Sequence, residues 1–135
     1  MDRTLVICKP DAVERGLAGE ILARLERKGL TLVAAELRQI DVELAERHYA
    51  EHAERPFFTE LVEFITRSPA LLLVVEGPSD TWRVVRTLMG PTDPAQAPPG
   101  TIRGDYGTVV TENLVHGSDG LESAEREIGL FFPGL

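Results

Sequence analysis

The order of predicted elements assigns this chain to the α+β class, as a ferredoxin-like βαββαβ sandwich in which helices cover an antiparallel sheet. Four short runs rich in apolar and β-branched residues predict strands, and segments with helical periodicity separate them. The length of 135 residues suits one domain spanning 1–135. A doubly wound parallel sheet is the alternative fold, but the chain supplies few strands for it.

Two strands with a helix between them are predicted at the start of the chain. The first strand runs from Thr4 to Cys8 and stops at Pro10, which cannot continue a ladder. Apolar residues at i, i+3, i+4 and i+7 then predict an amphipathic helix that Gly29 ends. β-Branched residues with partial alternation predict the second strand from Leu30 to Ile40.

Two helices and a central strand follow in the middle of the chain. Asp41 is a suitable N-cap for a short helix to about Ala53, and Pro56 suits the first turn of the next helix. The apolar face of that next helix consists of Phe58, Leu61, Val62 and Ile65. The continuous apolar run Ala70 to Val75 predicts a central strand, because a strand in the middle of a sheet is buried on both faces.

A long loop rich in proline and glycine interrupts the last part of the chain. Ser79 or Asp80 caps the helix before it, and the loop itself runs from Gly90 to Gly107. A loop of that length inside a compact domain is usually functional. A last strand is predicted from Val109 to Val115, and Asp119 is expected to cap a final helix.

The acidic, cysteine-poor composition narrows the possible partners and compartments. The formal net charge is −8, which disfavours a broad nucleic-acid-binding face because phosphate backbones require many exposed cations. The single cysteine, Cys8, lies in an apolar stretch and is expected to be an inert core thiol in a reducing compartment. No apolar run approaches the roughly 20 residues of a membrane helix, so a cytoplasmic location without membrane contact is expected.

His116 is the first residue that departs from an ordinary core or surface pattern. It lies where a predicted strand meets a predicted helix, a junction at which a side chain can face a cleft. A neutral imidazole is a good nucleophile near pH 7 and attacks phosphorus without a separate base. A hydrogen-bonded structural histidine is the alternative interpretation. Glu127, two to three turns along the last helix, is the candidate to orient the imidazole, and a solvated helix charge is its alternative.

The other two histidines, His48 and His52, are spaced i, i+4 on one helix. This spacing can bind a metal, but no metalloprotease framework surrounds the pair. We therefore interpret both as a polar helix face and predict no protein metal site.

Three cations and two aromatic residues complete the candidates. Lys9 ends a strand, Arg86 lies one place past an inward position of its helix, and Arg103 lies in a glycine-flanked loop. Arginine clamps phosphate bidentately and lysine acts as a compact charge, although each alone is more typical of a surface. Phe57 either joins the core or presents a ring to a base, and Tyr49 is expected to be half-buried.

Several motifs of the chain are similar, in the same order, to those of the nucleoside diphosphate kinase family. They are residues 4–11 with Lys9-Pro10-Asp11, residues 48–52, Arg55-Pro56-Phe57-Phe58, residues 100–105, the segment Asn113-Leu114-Val115-His116-Gly117-Ser118-Asp119, and residues 122–129. The segment from Asn113 to Asp119 resembles the family's active-site signature. Together the motifs cover essentially the whole chain. The resemblance implies the ferredoxin-like fold and a ping-pong reaction. In that reaction a nucleoside triphosphate, typically ATP, phosphorylates His116, and a nucleoside diphosphate then collects the phosphate.

The resemblance also implies roles for the surrounding residues. Those that would hold phosphates and ribose are Lys9, Arg86, Thr92, Arg103 and Asn113, with Arg83 as the alternative to Arg86. Phe57 would stack on the base, Tyr49 would lie beside Lys9 and the transferring phosphate, and Glu127 would orient the imidazole. Mg²⁺ would arrive bridged by the nucleotide phosphates. A homo-oligomer is implied, with a hexamer favoured and a tetramer possible.

Two other functions compete with this interpretation. A catalytically silent relative would act as a binding or regulatory module, but the retention of His116 with its candidate phosphate-binding residues argues against it. An RNA-binding module would share the ferredoxin-like topology, but the charge of −8 and the lack of paired aromatics on predicted strands argue against that.

Overall fold

The computed structural model describes residues 1–135 and contains one four-stranded sheet with the strand order β2-β3-β1-β4. The strands are β1 (Asp2–Cys8), β2 (Thr31–Arg38), β3 (Ala70–Gly77) and β4 (Val115–Gly117). All three strand pairings are antiparallel. The predicted α+β, ferredoxin-like class is therefore confirmed, and the alternative of a parallel sheet is wrong.

Seven α-helices connect the strands and cover the sheet. They are α1 (Pro10–Glu14), α2 (Ala18–Arg27), α3 (Val42–His48), α4 (Phe58–Thr66), α5 (Thr81–Met89), α6 (Ile102–Tyr106) and α7 (Leu121–Phe131). Asp41 caps α3 as predicted, because its side chain accepts a hydrogen bond from the amide of Leu44. Pro56 lies just before α4 rather than in its first turn, since that helix begins at Phe58 with Phe57 as its N-cap residue.

The two faces of the sheet carry separate apolar cores because successive side chains of a strand point to opposite faces. On β1, Val6 and Cys8 belong to the core beneath α2 and α5, whereas Leu5 and Ile7 belong to the core beneath α3 and α4. The run Ala70 to Val75 lies between β1 and β2, which accounts for its continuous apolar character. The faces of the central strands are therefore covered by helices.

The predicted strand from Val109 to Val115 is wrong. Residues Val110–Glu112 form a 3₁₀ turn, and β4 begins only at Val115. Leu114 has a left-handed backbone with φ of 75°, which is incompatible with a continuous strand. The β-branched residues of this segment gave it a strand-like composition, although Val109 and Val110 lie at the surface.

The long loop contains structure that its composition does not indicate. Residues Pro94–Gln96 form a 3₁₀ turn, and α6 follows with Thr101 as its N-cap, accepting a hydrogen bond from the amide of Gly104. The predicted cap of the last helix is also wrong, because Gly120 occupies the N-cap position of α7. The Asp119 carboxylate instead accepts a hydrogen bond from the hydroxyl of Ser123.

None of the helices is both long enough and apolar enough to span a lipid bilayer.

Candidate active site

A cleft of about 260 Å³ opens where β1 and β4 end beside α3, α5 and α7. Its polar lining comes from separate parts of the chain and includes Lys9, Tyr49, Arg86, Thr92, Arg103, Asn113, His116 and Glu127. The register of the sheet places His116 opposite Ile7, two residues before Lys9. The fold thus brings together eight of the nine predicted site residues, and Phe57 is the one that lies outside the cleft lining.

The imidazole of His116 is oriented by a carboxylate on the last helix. His116 Nε2 donates to Glu127 Oε1 at 2.9 Å, and the Ser118 hydroxyl donates to the same oxygen at 2.6 Å. Burial alone would raise the pKa of Glu127, but these hydrogen bonds, together with the positive charge of His116 when its ring is protonated, lower it to about 2. An ionised carboxylate only accepts hydrogen bonds, so the proton of the neutral ring lies on Nε2. The lone pair of Nδ1 is therefore free.

Lys9 is held at the end of β1 by a short chain of polar contacts. Its Nζ donates to Asn113 Oδ1 at 2.9 Å, and Asn113 Nδ2 donates to the carbonyl of Thr92 at 3.0 Å. Burial and the nearby charge of Arg103 lower the pKa of Lys9 to about 8, against the opposing effect of Asp11. An anionic ligand would relieve that unfavourable environment, so the ammonium is ready to pair with a phosphate.

Arg103 is a buried cation fixed by three backbone carbonyls. Its guanidinium donates to the carbonyls of Asn113 at 3.1 Å, Gly90 at 2.9 Å and Val115 at 2.6 Å. Burial and the charge of Arg86 lower its pKa to about 10. These contacts tie α6 and the end of α5 to the segment that carries His116. The loop that looks irregular in sequence is therefore anchored at the site.

The structure distinguishes the two arginine candidates on α5. Arg86 lines the cleft, and its Nη1 donates to the carbonyl of Gly117 at 3.0 Å. The side chain of Arg83 is 69% exposed and faces Asp80 at 3.9 Å. The angle around the helix explains the difference: at about 100° per residue, Arg86 lies roughly 100° from the buried Val85, whereas Arg83 lies roughly 160° from it, on the solvent side.

The two aromatic candidates lie in different environments. Tyr49 lines the cleft and is buried rather than half-buried as predicted, and burial together with the charge of Glu127 raises its pKa to about 12. Phe57 is 42% exposed, and its ring centroid lies 5.7 Å from that of His52, a cleft-lining residue. Phe57 is therefore an exposed ring at the margin of the cleft, and the alternative of a core position is wrong.

His48 contradicts its interpretation as part of a polar helix face. The residue is only 4% exposed, and its ring centroid lies 4.8 Å from that of His116 in an edge-to-face arrangement at 86°. Burial and the neighbouring His116 lower its pKa to about 3, so the ring is neutral. The available signal was the spacing of His48 three residues after Ala45, which is buried on the same helix face.

Two further polar residues support the site and were not singled out from the sequence. Ser118 is buried and hydrogen-bonded to Glu127 as described above. Asp11 is buried, and its Oδ2 accepts from the amide of Leu114 at 3.0 Å. That bond satisfies the backbone where Leu114 takes its left-handed conformation. Its position after Lys9 and Pro10, at the start of α1, gives no local sign of this long-range contact.

Fold and cleft together define an α+β protein that presents an oriented histidine beside three cations in an otherwise acidic chain. Such a site suits a ligand that carries several negative charges, because the cations Lys9, Arg86 and Arg103 line the same cleft. The free Nδ1 of His116 adds a nucleophile to that anion-binding surface.

Comparison with known proteins identifies the family. A family model described as "Nucleoside diphosphate kinase" matches residues 2–135. The chain is 62% identical to a nucleoside diphosphate kinase of Saccharopolyspora erythraea, over 99% of this chain and 98% of that protein. It is 59% identical to one of Frankia casuarinae, over 100% and 98% of the two chains.

A solved structure of the Halobacterium salinarum nucleoside diphosphate kinase in complex with CDP superimposes with a TM-score of 0.94 at 54% identity. The superposition covers 98% of this chain and 88% of that one. The chain therefore belongs to the nucleoside diphosphate kinase family. The predicted enzyme class, a phosphotransferase acting on nucleotides, is thereby confirmed.

Proposed function

We propose that the chain transfers the γ-phosphate of a nucleoside triphosphate, typically ATP, to a nucleoside diphosphate through a phosphohistidine on His116. The observation that carries this mechanism is the hydrogen bond from His116 Nε2 to Glu127, which leaves the Nδ1 lone pair free in a cationic cleft. Phosphoryl transfer requires positioning and charge neutralisation above all, and the cleft supplies both.

Phosphorylation of His116 is a displacement at the γ-phosphorus. The Nδ1 lone pair forms a bond to phosphorus while the bond to the bridging oxygen breaks, and the nucleoside diphosphate leaves with that electron pair. The ring, now substituted at Nδ1 and still protonated at Nε2, carries a positive charge that the Glu127 carboxylate offsets at 2.9 Å. In the second half-reaction a terminal oxygen of another nucleoside diphosphate attacks the phosphohistidine, and the lone pair returns to Nδ1.

The residues around His116 are proposed to bind the phosphates and the ribose. Lys9, Arg86 and Arg103 neutralise the transferring phosphate, because charge developing on its oxygens is stabilised by fixed cations in a partly dry cleft. Thr92 and Asn113 donate further hydrogen bonds to the nucleotide. The hydroxyl of Tyr49 donates to a phosphate oxygen, since its raised pKa of about 12 keeps it protonated.

Phe57 is proposed to stack on the base, which favours broad nucleotide tolerance because every base has a π-face. Base–aromatic stacking is worth about 1–3 kcal/mol, so Phe57→Ala is expected to raise the KM for nucleotides roughly tenfold or more. Phe64→Ala removes a ring that lies further along α4 and packs against Arg67 rather than beside the cleft-lining His52, and it is the matched control. Unchanged nucleotide affinity in Phe57→Ala would show that the base binds elsewhere.

Mg²⁺ is proposed to enter with the nucleotide rather than to bind a protein cage. The carboxylates that line the cleft, Glu51, Asp119 and Glu127, do not converge into the all-oxygen ligand set that Mg²⁺ prefers. That donor set fits an ion coordinated mainly by phosphate oxygens and water, the usual preference of Mg²⁺. When bound, the ion neutralises phosphate charge and helps to orient the γ-phosphate.

A homo-oligomer of a single domain spanning 1–135 is also proposed, with a hexamer favoured over a tetramer. Exposed apolar side chains at Leu37 on the edge strand β2 and at Val109 and Val110 support an interface. Analytical ultracentrifugation measures the number of subunits directly. Location in the cytoplasm, with no nucleic acid or membrane as partner, completes the proposal, and the acidic charge of −8 supports the absence of a nucleic-acid partner.

The phosphohistidine is tested by incubating the chain with ATP labelled at the γ-position. Label that is lost in acid and kept in alkali is expected on the wild-type chain and on His52→Ala. It is expected to be absent from His116→Ala. Label that persists in folded His116→Ala would place the nucleophile at another residue. A wild-type chain that takes up no label would instead favour the catalytically silent alternative.

A further inference from the structure

Three side chains around the active histidine form a cluster of metal-ligating atoms. One ligand atom from each of His48, His116 and Glu127 lies within 4.8 Å of the other two. His48 and Glu127 are buried, and His116 opens to the cleft. The Nδ1 atom of His48 is buried without a hydrogen-bond partner. The ring can therefore turn toward a shared ion without breaking a hydrogen bond at that nitrogen.

The donor set suits Zn²⁺ rather than Mg²⁺. Two imidazoles and one carboxylate are a known three-ligand set for zinc with an open fourth position, whereas Mg²⁺ prefers oxygen ligands. Tetrahedral zinc with bonds of about 2.0–2.1 Å places its ligand atoms roughly 3.3 Å apart. His116 Nε2 and Glu127 Oε1 already lie 2.9 Å apart. The remaining adjustment is a side-chain movement of His48 toward the pair.

We propose that His48, His116 and Glu127 form an inhibitory site for Zn²⁺ or a similar imidazole-seeking divalent cation. The inhibitory part rests on the proposed role of His116 as the phosphoryl acceptor. Binding itself does not depend on that role, because it needs only the three donor atoms.

The effect on catalysis follows from the two nitrogens of a neutral imidazole, of which one carries a proton and the other a lone pair. If the ion binds Nδ1 of His116, it occupies the attacking lone pair. If it binds Nε2 in place of the proton shared with Glu127, the ring proton moves to Nδ1. In both cases Nδ1 cannot attack phosphorus until the ion leaves, so the ion and the phosphoryl group exclude each other.

Binding is tested with metal alone on the wild-type chain. Co²⁺ replaces Zn²⁺ as a spectroscopic probe, and a tetrahedral site with nitrogen ligands gives visible absorption that one equivalent of Zn²⁺ abolishes. The chain has three histidines, and its single cysteine, Cys8, is buried, so few other sites compete. Imidazole ¹⁵N resonances recorded during a Zn²⁺ titration are expected to shift at His48 and His116 together. A shift confined to His52, or none at all, would overturn the site.

The ligand role of His48 is tested by a matched pair of variants. His48→Gln is expected to weaken Zn²⁺ binding at least tenfold, whereas His52→Gln, which alters the half-buried histidine four residues further along the chain, is expected to retain it. Circular dichroism verifies that both variants fold. Equal affinity in the two folded variants would overturn the assignment, and the resonance shifts of the wild-type chain decide the question if His48→Gln does not fold.

Inhibition is measured as the rate of His116 labelling by MgATP in a buffer that fixes free Zn²⁺. With free Zn²⁺ at ten times its dissociation constant, mass action predicts a roughly tenfold slower rate, and His48→Gln is expected to lose this sensitivity. A rate unaffected by saturating Zn²⁺ would overturn the inhibitory role. If the resonances shift but no label ever forms, the phosphohistidine mechanism fails and the metal site stands.

Discussion

Replacing Glu127 by glutamine tests how much the oriented imidazole contributes to catalysis. The substitution keeps the size of the side chain and one acceptor oxygen, but it removes the charge that faces His116 Nε2 at 2.9 Å. The ionised form of Glu127 is favoured strongly enough to lower its pKa from 4.5 to about 2, which corresponds to about 3 kcal/mol. Ser118 supplies part of that amount.

We assign about 1.5–3 kcal/mol to the contact with His116, the usual value of a hydrogen bond to a charged group. The charge matters most as the ring becomes cationic, so the loss falls on the rate of phosphorylation. A decrease of roughly 10- to 100-fold in that rate is expected for Glu127→Gln, since each 1.36 kcal/mol is a factor of ten. The KM for nucleotides is expected to change little, because Glu127 contacts His116 rather than the proposed phosphate-binding groups.

The assay is a single-turnover rapid-quench measurement of His116 labelling by γ-labelled ATP. Glu125→Gln removes an exposed carboxylate from the same helix and is the matched control, for which a wild-type rate is expected. A rate in Glu127→Gln within twofold of the wild type would show that the carboxylate does not stabilise the phosphorylated ring. A loss confined to KM would assign Glu127 to nucleotide binding instead.

Two further predictions concern the loop helix and the pH dependence of binding. Gly104→Ala would drive a Cβ into the backbone carbonyl of Pro98, so a loss of about 1–3 kcal/mol in the free energy of unfolding is expected in urea. In Gly129→Ala, where the space around the new Cβ is open, the free energy of unfolding is expected not to fall. If both variants had the same free energy of unfolding, the clash at Gly104 would be contradicted. Burial and Arg103 lower the pKa of Lys9 to about 8, so its charge is present below pH 8 and lost above it. If only the charged form binds, nucleotide affinity is expected to fall about tenfold by pH 9, a fall that Lys9→Arg abolishes; a flat profile in the wild type would contradict the lowered pKa.

Elements with a clear period were predictable from the sequence because their signals are local. The apolar run Ala70 to Val75 and the cap at Asp41 require only neighbouring residues to be recognised. The segment from Val109 to Val115, just before His116, could not be predicted from neighbouring residues alone. Its β-branched composition predicted a strand, but the amide of Leu114 is held by Asp11, far away in sequence, and the backbone turns left-handed there.

The residue types of the site were predictable from the sequence, but their arrangement in space was not. The residue types at Lys9, Arg103 and His116 indicated anion binding, but their convergence depends on the strand order β2-β3-β1-β4, which no local pattern encodes. His48 was misinterpreted because its spacing from Ala45 is a weak local sign, and the side chains it packs against, His116 and Phe131, are distant in sequence. Short α6 was missed because a five-residue helix that contains a glycine has weak periodicity.

The most direct test of the mechanism is to isolate the labelled chain, free of nucleotide, and to mix it with an unlabelled nucleoside diphosphate. We expect label to leave His116 and to appear as the γ-phosphate of the new triphosphate, with one phosphate transferred for each His116 labelled. Label that stays on the chain, or that appears only as inorganic phosphate, would contradict the claim that His116 carries the phosphate between nucleotides.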